Sequence, residues 1–381
     1  MADSLSRLRA AEYPWALRDD VSYLNHAGTG PLPARTVRAL HDYDRLRSEP
    51  WRVGAEHQFA TLARSRELCA ALIGAEPNEI ALMVNTTYGI NFAARALPLA
   101  PGEVVLSSDR EFPANVYPWM ALERARGVTC RRLPCRERLA DEAALLRALD
   151  EPGVRVLTIS WVSFETGLRV DLQRLGAACR ERGIYFVVDA IQGVGAAPLD
   201  VRECQIDVLA CGAQKWLLSP WGSGFLYVRR ELVARLEPND VGWMAVRNSE
   251  DFGRLCDYEL DYFDDARRFE VITLPFQDFA GLNASLELFF EVGLERVFTL
   301  VTERATQIVE WATTRGDLRL VTPADPARRA GVVSVIPRDP VEASHRLEQH
   351  GVAHSLREGA LRLSPHFYTS GEEVERALAL L

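Results

Sequence analysis

Short apolar runs alternate along this chain with segments in which apolar residues recur at helical spacing. Runs of this length predict buried strands, and recurrence every three to four residues predicts helices. The predicted strands are 79–84, 103–107, 127–133, 154–162, 185–189, 207–210 and 222–228, and the predicted helices include 59–74 and 172–182. Alternation of strands and helices implies an α/β fold with a mostly parallel central sheet covered on both faces.

The pattern changes near residue 280. A helical stretch at 283–292 is followed by short predicted strands at 331–336 and 360–364. We therefore expect a smaller α/β domain at the carboxyl terminus, joined to the rest through 267–275. The expected divisions are an N-terminal segment (1–20), a large domain (21–280) and a small domain (281–381).

Composition narrows the class of partner. The net charge of −9 gives no general basic surface for nucleic acid or anionic lipid. No uncharged apolar run is long enough to cross a bilayer, and the first residues lack a signal core. Seven scattered cysteines without a CxxC pair favour reduced thiols over a disulfide framework or a zinc site. We expect a cytoplasmic protein with no metal, nucleic-acid or membrane partner.

One residue type is almost missing. Of the 44 lysine and arginine residues, Lys215 is the only lysine. Arginine can replace lysine as a charge, but it cannot supply a primary amine that loses its proton and condenses with an aldehyde. Lys215 follows a predicted strand, where α/β enzymes place reactive groups. The alternative is a solvated surface lysine, the usual fate of the residue.

A second polar position ends a predicted strand 26 residues earlier. Asp189 closes the apolar run at 185–189, so a parallel strand would deliver its carboxylate to the carboxyl edge of the sheet. Such a carboxylate can pair with a protonated pyridine nitrogen. Taken alone, Asp189 is equally well explained as a helix cap or a metal ligand. With Lys215 nearby in sequence, the pyridine partner is favoured.

These residues carry a family resemblance. Asp189-x-x-Gln192, then Lys215, then the pattern Pro-x-Gly-x-Gly-x-x-Tyr ending at Tyr227 resemble class V of the fold-type I pyridoxal phosphate (PLP) enzymes. That group includes cysteine desulfurases, selenocysteine lyases, kynureninase, isopenicillin N epimerase-like proteins and some aminotransferases. The chain looks nearest to the epimerase-like and kynureninase-like members. The resemblance implies fold-type I, PLP as cofactor, an amino acid substrate, and a homodimer whose active sites lie between subunits.

The resemblance also implies cofactor contacts. Lys215 would form the Schiff base, and Asp189 would pair with the ring nitrogen. The other implied contacts are Gln192 with the phenolic oxygen, Phe112 stacked on the ring, and Thr86 and Thr87 with the phosphate. The threonines would equally suit a plain helix cap, and Phe112 a core position.

Two phosphate contacts depart from the family pattern. Gln214 stands where family members often have a histidine, so it can donate a hydrogen bond but no charge. Thr273 matches a threonine that reaches the phosphate of the partner subunit. Its neighbours are Ile272 and Leu274, however, in place of the family glycine and proline.

On the substrate side, the resemblance implies that Arg362 in Arg-x-Ser binds the substrate carboxylate. His26 and Asn115 are expected to line the substrate pocket, although a capping or core role suits His26 equally. Glu165 occupies the region of a family asparagine, where it could recognise an amine or hydroxyl.

The reaction is less determined than the cofactor. The last cysteine is Cys256, so no thiol stands before Arg362, where cysteine desulfurases carry their nucleophile. We expect transamination or a lyase reaction, such as β-elimination, after removal of the Cα proton by Lys215. The alternatives are an amino acid epimerase, a PLP-binding regulatory protein without turnover, and an α/β fold in which Lys215 is only structural.

Overall fold

A seven-stranded sheet forms the centre of the larger part of the molecule. The structure is a computed structural model that describes residues 2–381. The strands are β1 (Ser22–Tyr23), β2 (Ile80–Leu82), β3 (Val104–Ser108), β4 (Thr129–Leu133), β5 (Val154–Ser160), β6 (Tyr185–Asp189), β7 (Val208–Gly212), β8 (Gly224–Val228), β9 (Leu318–Leu320), β10 (Val333–Pro337), β11 (Val352–Ala353), β12 (Ser355–Arg357) and β13 (Ala360–Leu363). The α helices are α1 (Ala2–Glu12), α2 (Ala34–Ser48), α3 (Ala55–Ile73), α4 (Thr86–Ala96), α5 (Tyr117–Arg126), α6 (Glu142–Ala148), α7 (Leu172–Glu181), α8 (Arg230–Val233), α9 (Phe276–Val292), α10 (Leu294–Thr313), α11 (Pro340–Gln349) and α12 (Gly371–Leu378).

The strand order of the large sheet is β2-β8-β7-β6-β5-β3-β4. Strands β3 to β7 pair in parallel, whereas β8 runs antiparallel to both of its neighbours. Buried side chains cover both faces of this sheet and form two apolar clusters. The predicted α/β class with a mostly parallel sheet is confirmed. The reversed direction of β8 was not predicted, because a strand buried on both faces has the same apolar pattern in either direction.

A four-stranded antiparallel sheet, in the order β12-β13-β10-β9, forms the smaller part of the molecule. It packs with α10, α11 and α12 around a third apolar cluster. The short strand β1 pairs with β11, so the segment near residue 22 lies against this smaller part.

The domain limits at 20 and 280 stay predictions. Helix α9 crosses the limit at 280 and packs mainly on α2 and α3, with fewer contacts to α10. We therefore propose that the small domain begins near Leu294 and that β1 contributes to it. No helix of the described chain has the length and apolar character needed to cross a membrane.

The sheet order brings three strand ends together. Strands β5, β6 and β7 are neighbours and parallel, so Ser160, Asp189 and Gly212 lie at the same edge. Asn85 begins α4 beside this edge by accepting a hydrogen bond from the Tyr88 amide at 2.9 Å. The loops that follow these strands therefore converge on one region.

A buried ion pair ties α3 to this sheet and generates a first prediction. Arg66 donates to both carboxylate oxygens of Glu270 at 2.8 and 2.6 Å, and Glu270 also accepts from the Leu82 amide at 2.9 Å. Glu270 is buried, so the substitution Arg66→Met leaves the negative charge of Glu270 without an ion-pair partner. It should lower the free energy of unfolding by about 3–5 kcal/mol. Urea unfolding followed by circular dichroism measures the change.

The control is Arg64→Met on the same helix. Arg64 pairs with Glu67 and Glu287 at 3.1 and 3.2 Å, and all three side chains are about half exposed. Exposed pairs of this kind contribute about 0–1 kcal/mol. Equal unfolding free energies for the two variants would contradict the structural role given to the Arg66–Glu270 pair.

Candidate active site

Lys215 lies on the loop after β7, and the backbone of this loop is held from several sides. The Gly30 amide donates to the Gln214 carbonyl at 2.8 Å, and the Leu218 amide donates to the Lys215 carbonyl at 3.1 Å. A Cβ atom on Gly30 would lie 2.0 Å from the Lys215 carbonyl oxygen. Only glycine allows this close approach. Through Gly30, the N-terminal segment therefore packs directly against the backbone of Lys215 and holds it in place.

Trp216 anchors the other side of the lysine. Its indole N–H donates to Gln192 Oε1 at 2.8 Å, and its carbonyl accepts from His366 Nε2 at 2.9 Å. The Phe367 amide donates to His366 Nδ1, so the proton of this neutral ring lies on Nε2. Gln192 Nε2 also donates to the Ala27 carbonyl at 3.0 Å. The predicted contact of Gln192 with a phenolic oxygen must therefore use its second amide proton, and it stays a prediction.

The surroundings of the Lys215 amine lower its pKa. Burial lowers its pKa to about 8, with Asp189 opposing the shift and the charge of Arg362 adding to it. Its Nζ atom lies 5.4 Å from the centroid of the Phe112 ring, which also makes an edge contact with Phe164. A far larger fraction of this amine than of an ordinary lysine is therefore uncharged near neutral pH, as a nucleophile or base requires.

Asp189 supplies the carboxylate at the end of β6. It is 2% exposed, and its Oδ1 accepts from the Ile191 amide at 3.1 Å. Burial raises its pKa to about 6, while the Ile191 amide and Lys215 oppose the shift. No cation of residues 2–381 forms an ion pair with it. A buried carboxylate with one amide partner fits a protonated ring nitrogen, which supports the expected role.

The predicted phosphate side lies between α4 and the end of β7. Thr86 Oγ1 accepts from the Gly212 amide at 2.8 Å. A Cβ atom on Gly212 would lie 2.6 Å from Gln214 Oε1 and 3.3 Å from Thr86 Oγ1, so both polar side chains flank this glycine. The helix is capped by Asn85, which excludes the alternative of a plain threonine cap. The amides of Thr86 and the exposed Thr87 belong to the turn that a helix leaves unpaired, and such a turn suits a phosphate.

Arg362 on β13 is a buried guanidinium without a carboxylate. It is 2% exposed, and it donates to Ser355 Oγ at 3.0 Å and to the Phe164 carbonyl at 2.7 Å. Burial lowers its pKa to about 10, and the charge of Arg357 adds to the shift. No acidic side chain of the described chain pairs with it. This arrangement fits the predicted binding of a substrate carboxylate.

The structure does not support the substrate contact predicted for His26. Its ring is fully buried, with Nδ1 donating to the Ser364 carbonyl at 2.8 Å and Nε2 accepting from the Tyr368 hydroxyl at 2.7 Å. Burial and the nearby His366 ring lower its pKa well below the ordinary value. Both nitrogens are used, so His26 is a core histidine, the alternative that the sequence left open.

Asn115 also differs from its predicted role. It is completely buried, donates to Glu111 at 2.9 Å and accepts from Thr158 at 2.6 Å. Its amide therefore supports Glu111 and does not face a substrate. These contacts do not support its predicted place in the substrate pocket, since a motif does not show on which side of the chain a polar residue finds its partners.

Glu165 is likewise structural. Its carboxylate is 1% exposed and is held by Arg110 and Arg138. It has no role as a free acceptor for a substrate amine. The tight turn at Glu358 and Gly359 joins β12 directly to β13, so the place of the desulfurase cysteine is taken by a hairpin.

Thr273 was predicted to reach the phosphate of a partner subunit. It lies exposed in the segment between the 3₁₀ helix Ala266–Phe269 and α9. Its contact with the phosphate of a partner subunit stays a prediction.

Sequence reasoning missed two residues that position the lysine. The sequence assigned no role to Trp216, which directly follows Lys215, or to His366, which lies shortly after Arg362. Their contact joins positions 150 residues apart. A large aromatic directly after a reactive lysine is a usable local signal, but its histidine partner requires the tertiary structure.

The single lysine generates a second prediction. In cofactor-free protein, reductive alkylation by a small aldehyde should modify Lys215 with a midpoint near pH 8, because only the neutral amine reacts. In urea the midpoint should rise above about 10, the value of an ordinary lysine. Peptide mass spectrometry separates Lys215 from the N-terminal amine.

Asp189→Asn is the matched variant for this titration. The carboxylate of Asp189 raises the pKa of Lys215, so its removal should move the midpoint to lower pH. A midpoint that is the same in folded and unfolded protein would contradict the buried placement of the amine.

Comparisons with known proteins agree with this arrangement. Residues 22–376 match the family described as aminotransferase class V. An uncharacterized aminotransferase of Bacillus subtilis, YcbU, is 30% identical over 90% of this chain and 88% of the relative. Isopenicillin N epimerase of Streptomyces clavuligerus is 30% identical over 93% and 92%. A probable cysteine desulfurase of Methanothermobacter thermautotrophicus is 29% identical over 94% and 93%.

A solved structure has the same fold. The cystine C–S lyase C-DES, in complex with its reaction product cysteine persulfide, superposes with a TM-score of 0.87 at 25% identity, covering 97% of this chain and 98% of that one. The predicted family and the predicted cofactor are confirmed. The chain belongs to the aminotransferase class V family of pyridoxal phosphate enzymes.

Proposed function

We propose that this enzyme removes the Cα proton of an α-amino acid and completes either a transamination or a β-elimination of the C–S type. The observation that carries the proposal is the buried, unpaired guanidinium of Arg362 whose charge acts on the Lys215 amine. The buried charge of Arg362 calls for an anionic partner, and Lys215 supplies an amine that loses its proton more easily than an ordinary lysine. An α-amino acid supplies a carboxylate for the first and an acidic Cα–H for the second.

Arg362 orients the substrate. Its two described hydrogen bonds fix the plane of the guanidinium and leave other N–H groups for a carboxylate. Because the group is buried, a charge-assisted bond there is stronger than in water. The carboxylate would then hold the Cα–H bond toward the lysine.

Lys215 moves the proton. With a pKa near 8, the amine can accept the Cα proton and return it to another atom at neutral pH. The cofactor, when bound, supplies an electron-withdrawing ring that takes up the electrons of the broken bond. The carboxylate of Asp189 would pair with the ring nitrogen and would favour its protonated form.

The surroundings of Lys215 argue against epimerisation by two bases. The ionisable groups that act on its pKa are Asp189, Arg362, Cys211 and Arg357. Asp189 is assigned to the ring, and the arginines stay protonated. Burial raises the pKa of the Cys211 thiol well above its ordinary value, so it is no base either. A lyase acting through a persulfide on the enzyme is also disfavoured by the short hairpin before Arg362.

The absorption spectrum of the purified holoenzyme tests the reaction. We expect amino acids and S-substituted cysteines, supplied without a 2-oxo acid, to change the visible band of the lysine-bound cofactor. Lasting loss of the band, reversed by a 2-oxo acid, would identify transamination and exclude the lyase. Return of the band with release of a β-fragment would identify elimination.

Arg362→Gln is the matched variant. It should weaken the spectral response to amino acids by about 10- to 100-fold, the value of a lost charged hydrogen bond of about 1.5–3 kcal/mol. The band itself should remain in this variant. A protein with a visible band that no amino acid changes would be a PLP-binding protein without turnover, and the proposal would be wrong.

We propose in addition that the enzyme is a homodimer. The segment 241–260 exposes six large apolar side chains, and patches of this kind mark protein interfaces. They are Val241, Trp243, Phe252, Leu255, Tyr258 and Leu260.

The seven cysteines are free thiols, which supports the expected cytoplasmic location.

Light scattering after size exclusion should give twice the chain mass of 42.6 kDa. Leu260→Asp should shift the protein toward the monomer, because a charge would be buried at the interface. Val341→Asp, at another exposed apolar position, on α11, is the control and should leave the mass unchanged. A monomeric wild type would refute the dimer.

A further inference from the structure

A second arginine lies on the same face of the small sheet as Arg362. Strands β12 and β13 are antiparallel, with Ser355 opposite Arg362 and Arg357 opposite Ala360. Side chains two residues apart on a strand point to the same face, and directly paired residues share that face. Arg357 and Arg362 are therefore diagonal neighbours, a separation that long side chains can bridge.

Small residues surround this pair of guanidinium groups. Arg362 has Ser355 beside it on β12 and Ser334 beside it on β10, and Arg357 faces Ala360. None of these fills the space between the two arginines with a bulky side chain. Arg357 itself is exposed, whereas Arg362 is buried, so the pair extends from the interior to the surface.

The neighbouring acids are already used by other arginines. Glu165 is held by Arg110 and Arg138, and Glu358 lies 3.5 Å from Arg110. Among the side chains that the structure describes, no carboxylate forms an ion pair with Arg357, whose described hydrogen bond goes to the Leu356 carbonyl at 3.0 Å. Two acids thus serve Arg110 and Arg138, while Arg357 and Arg362 remain unpaired.

The charge of Arg357 reaches the reacting groups. It contributes to lowering the pKa of Arg362 and that of Lys215. A solvated arginine on an outer surface would be an ordinary feature. Like charges on adjacent strands, however, destabilise each other, and an anion that binds between them would remove the repulsion.

We propose that Arg357 binds a second anionic group of the substrate, so that the enzyme selects α-amino acids with a negatively charged side chain such as a carboxylate. Arg362 takes the α-carboxylate and Arg357 the side-chain anion. This inference rests on the proposed function, because it assigns a substrate class to the same site. It makes Arg357 a specificity residue that takes no direct part in the proton transfer by Lys215.

Pairs of substrates that differ only in charge test the proposal. The holoenzyme is assayed with glutamate and glutamine, and with aspartate and asparagine. We expect the wild type to have a kcat/KM at least about 10-fold higher for one acid than for its amide. Arg357→Gln should lower kcat/KM for that acid by about 10- to 100-fold, mainly through KM, since charged hydrogen bonds are of this strength.

The amides report on every other effect of the substitution. Loss of the Arg357 charge also alters the pKa of Lys215, but this changes the acid and its amide alike. We expect kcat/KM for the amide to stay within about 3-fold, and Arg357→Lys to recover part of the preference for the acid. The visible cofactor band should be the same in all three proteins.

Binding without turnover gives an independent readout. Calorimetry should find that glutarate binds the wild-type holoenzyme about 10-fold or more tighter than butyrate, and that Arg357→Gln removes the difference. Equal use of acids and amides by the wild type, or an equal loss for both in the variant, would overturn the inference and leave the proposed function intact. A holoenzyme that converts no amino acid at all would instead overturn the proposed function, and this inference with it.

Discussion

The anchoring of the Lys215 loop is the constraint on which the rest of the site depends. The loop contains the reactive amine, yet its position is set by segments from both ends of the chain. The Gly30 amide holds it from the N-terminal side, and the His366 ring holds the Trp216 carbonyl from the carboxyl-terminal side. The two described bonds of Gln192 join this anchor to the strand end that carries Asp189. The amine of Lys215 and the carboxylate of Asp189 are thus held in place by the same set of hydrogen bonds, as a site with fixed geometry requires.

These hydrogen bonds explain why two buried histidines, His26 and His366, lie beside the site although neither acts as an acid or a base. Burial lowers the pKa of His366 to about 4, so the ring stays neutral and keeps its Nε2 proton for the Trp216 carbonyl. His26 is neutral for the same reason and holds the Ser364 carbonyl. A protonated imidazole at His366 would lack an acceptor for its second proton, because Nδ1 faces the Phe367 amide. Burial keeps both rings neutral by lowering their pKa, and it also strengthens the hydrogen bond that each ring donates.

The sequence predicted those features that depend on local pattern. The strand ending at Asp189 and the loop with Lys215 follow from apolar runs and from the scarcity of lysine, and the structure places both at one sheet edge. His26 and Asn115 were assigned to the substrate by resemblance, and the structure buries both in hydrogen-bond networks. The difference is physical, because strand periodicity determines where a backbone ends, whereas the side on which a buried polar group finds its partner depends on distant residues.

The exchange of lysine for arginine shapes the electrostatics of the whole site. Arginine stays protonated when buried, so the guanidinium of Arg362 keeps its charge where an ammonium would tend to lose its proton. The planar fork also allows Arg110 and Arg138 to share one buried carboxylate, Glu165. In such a setting Lys215, with a pKa of about 8, can be cationic or neutral and can also act as a nucleophile. Under the proposed function, fixed positive charges select and orient anions, while proton transfer is confined to a single amine.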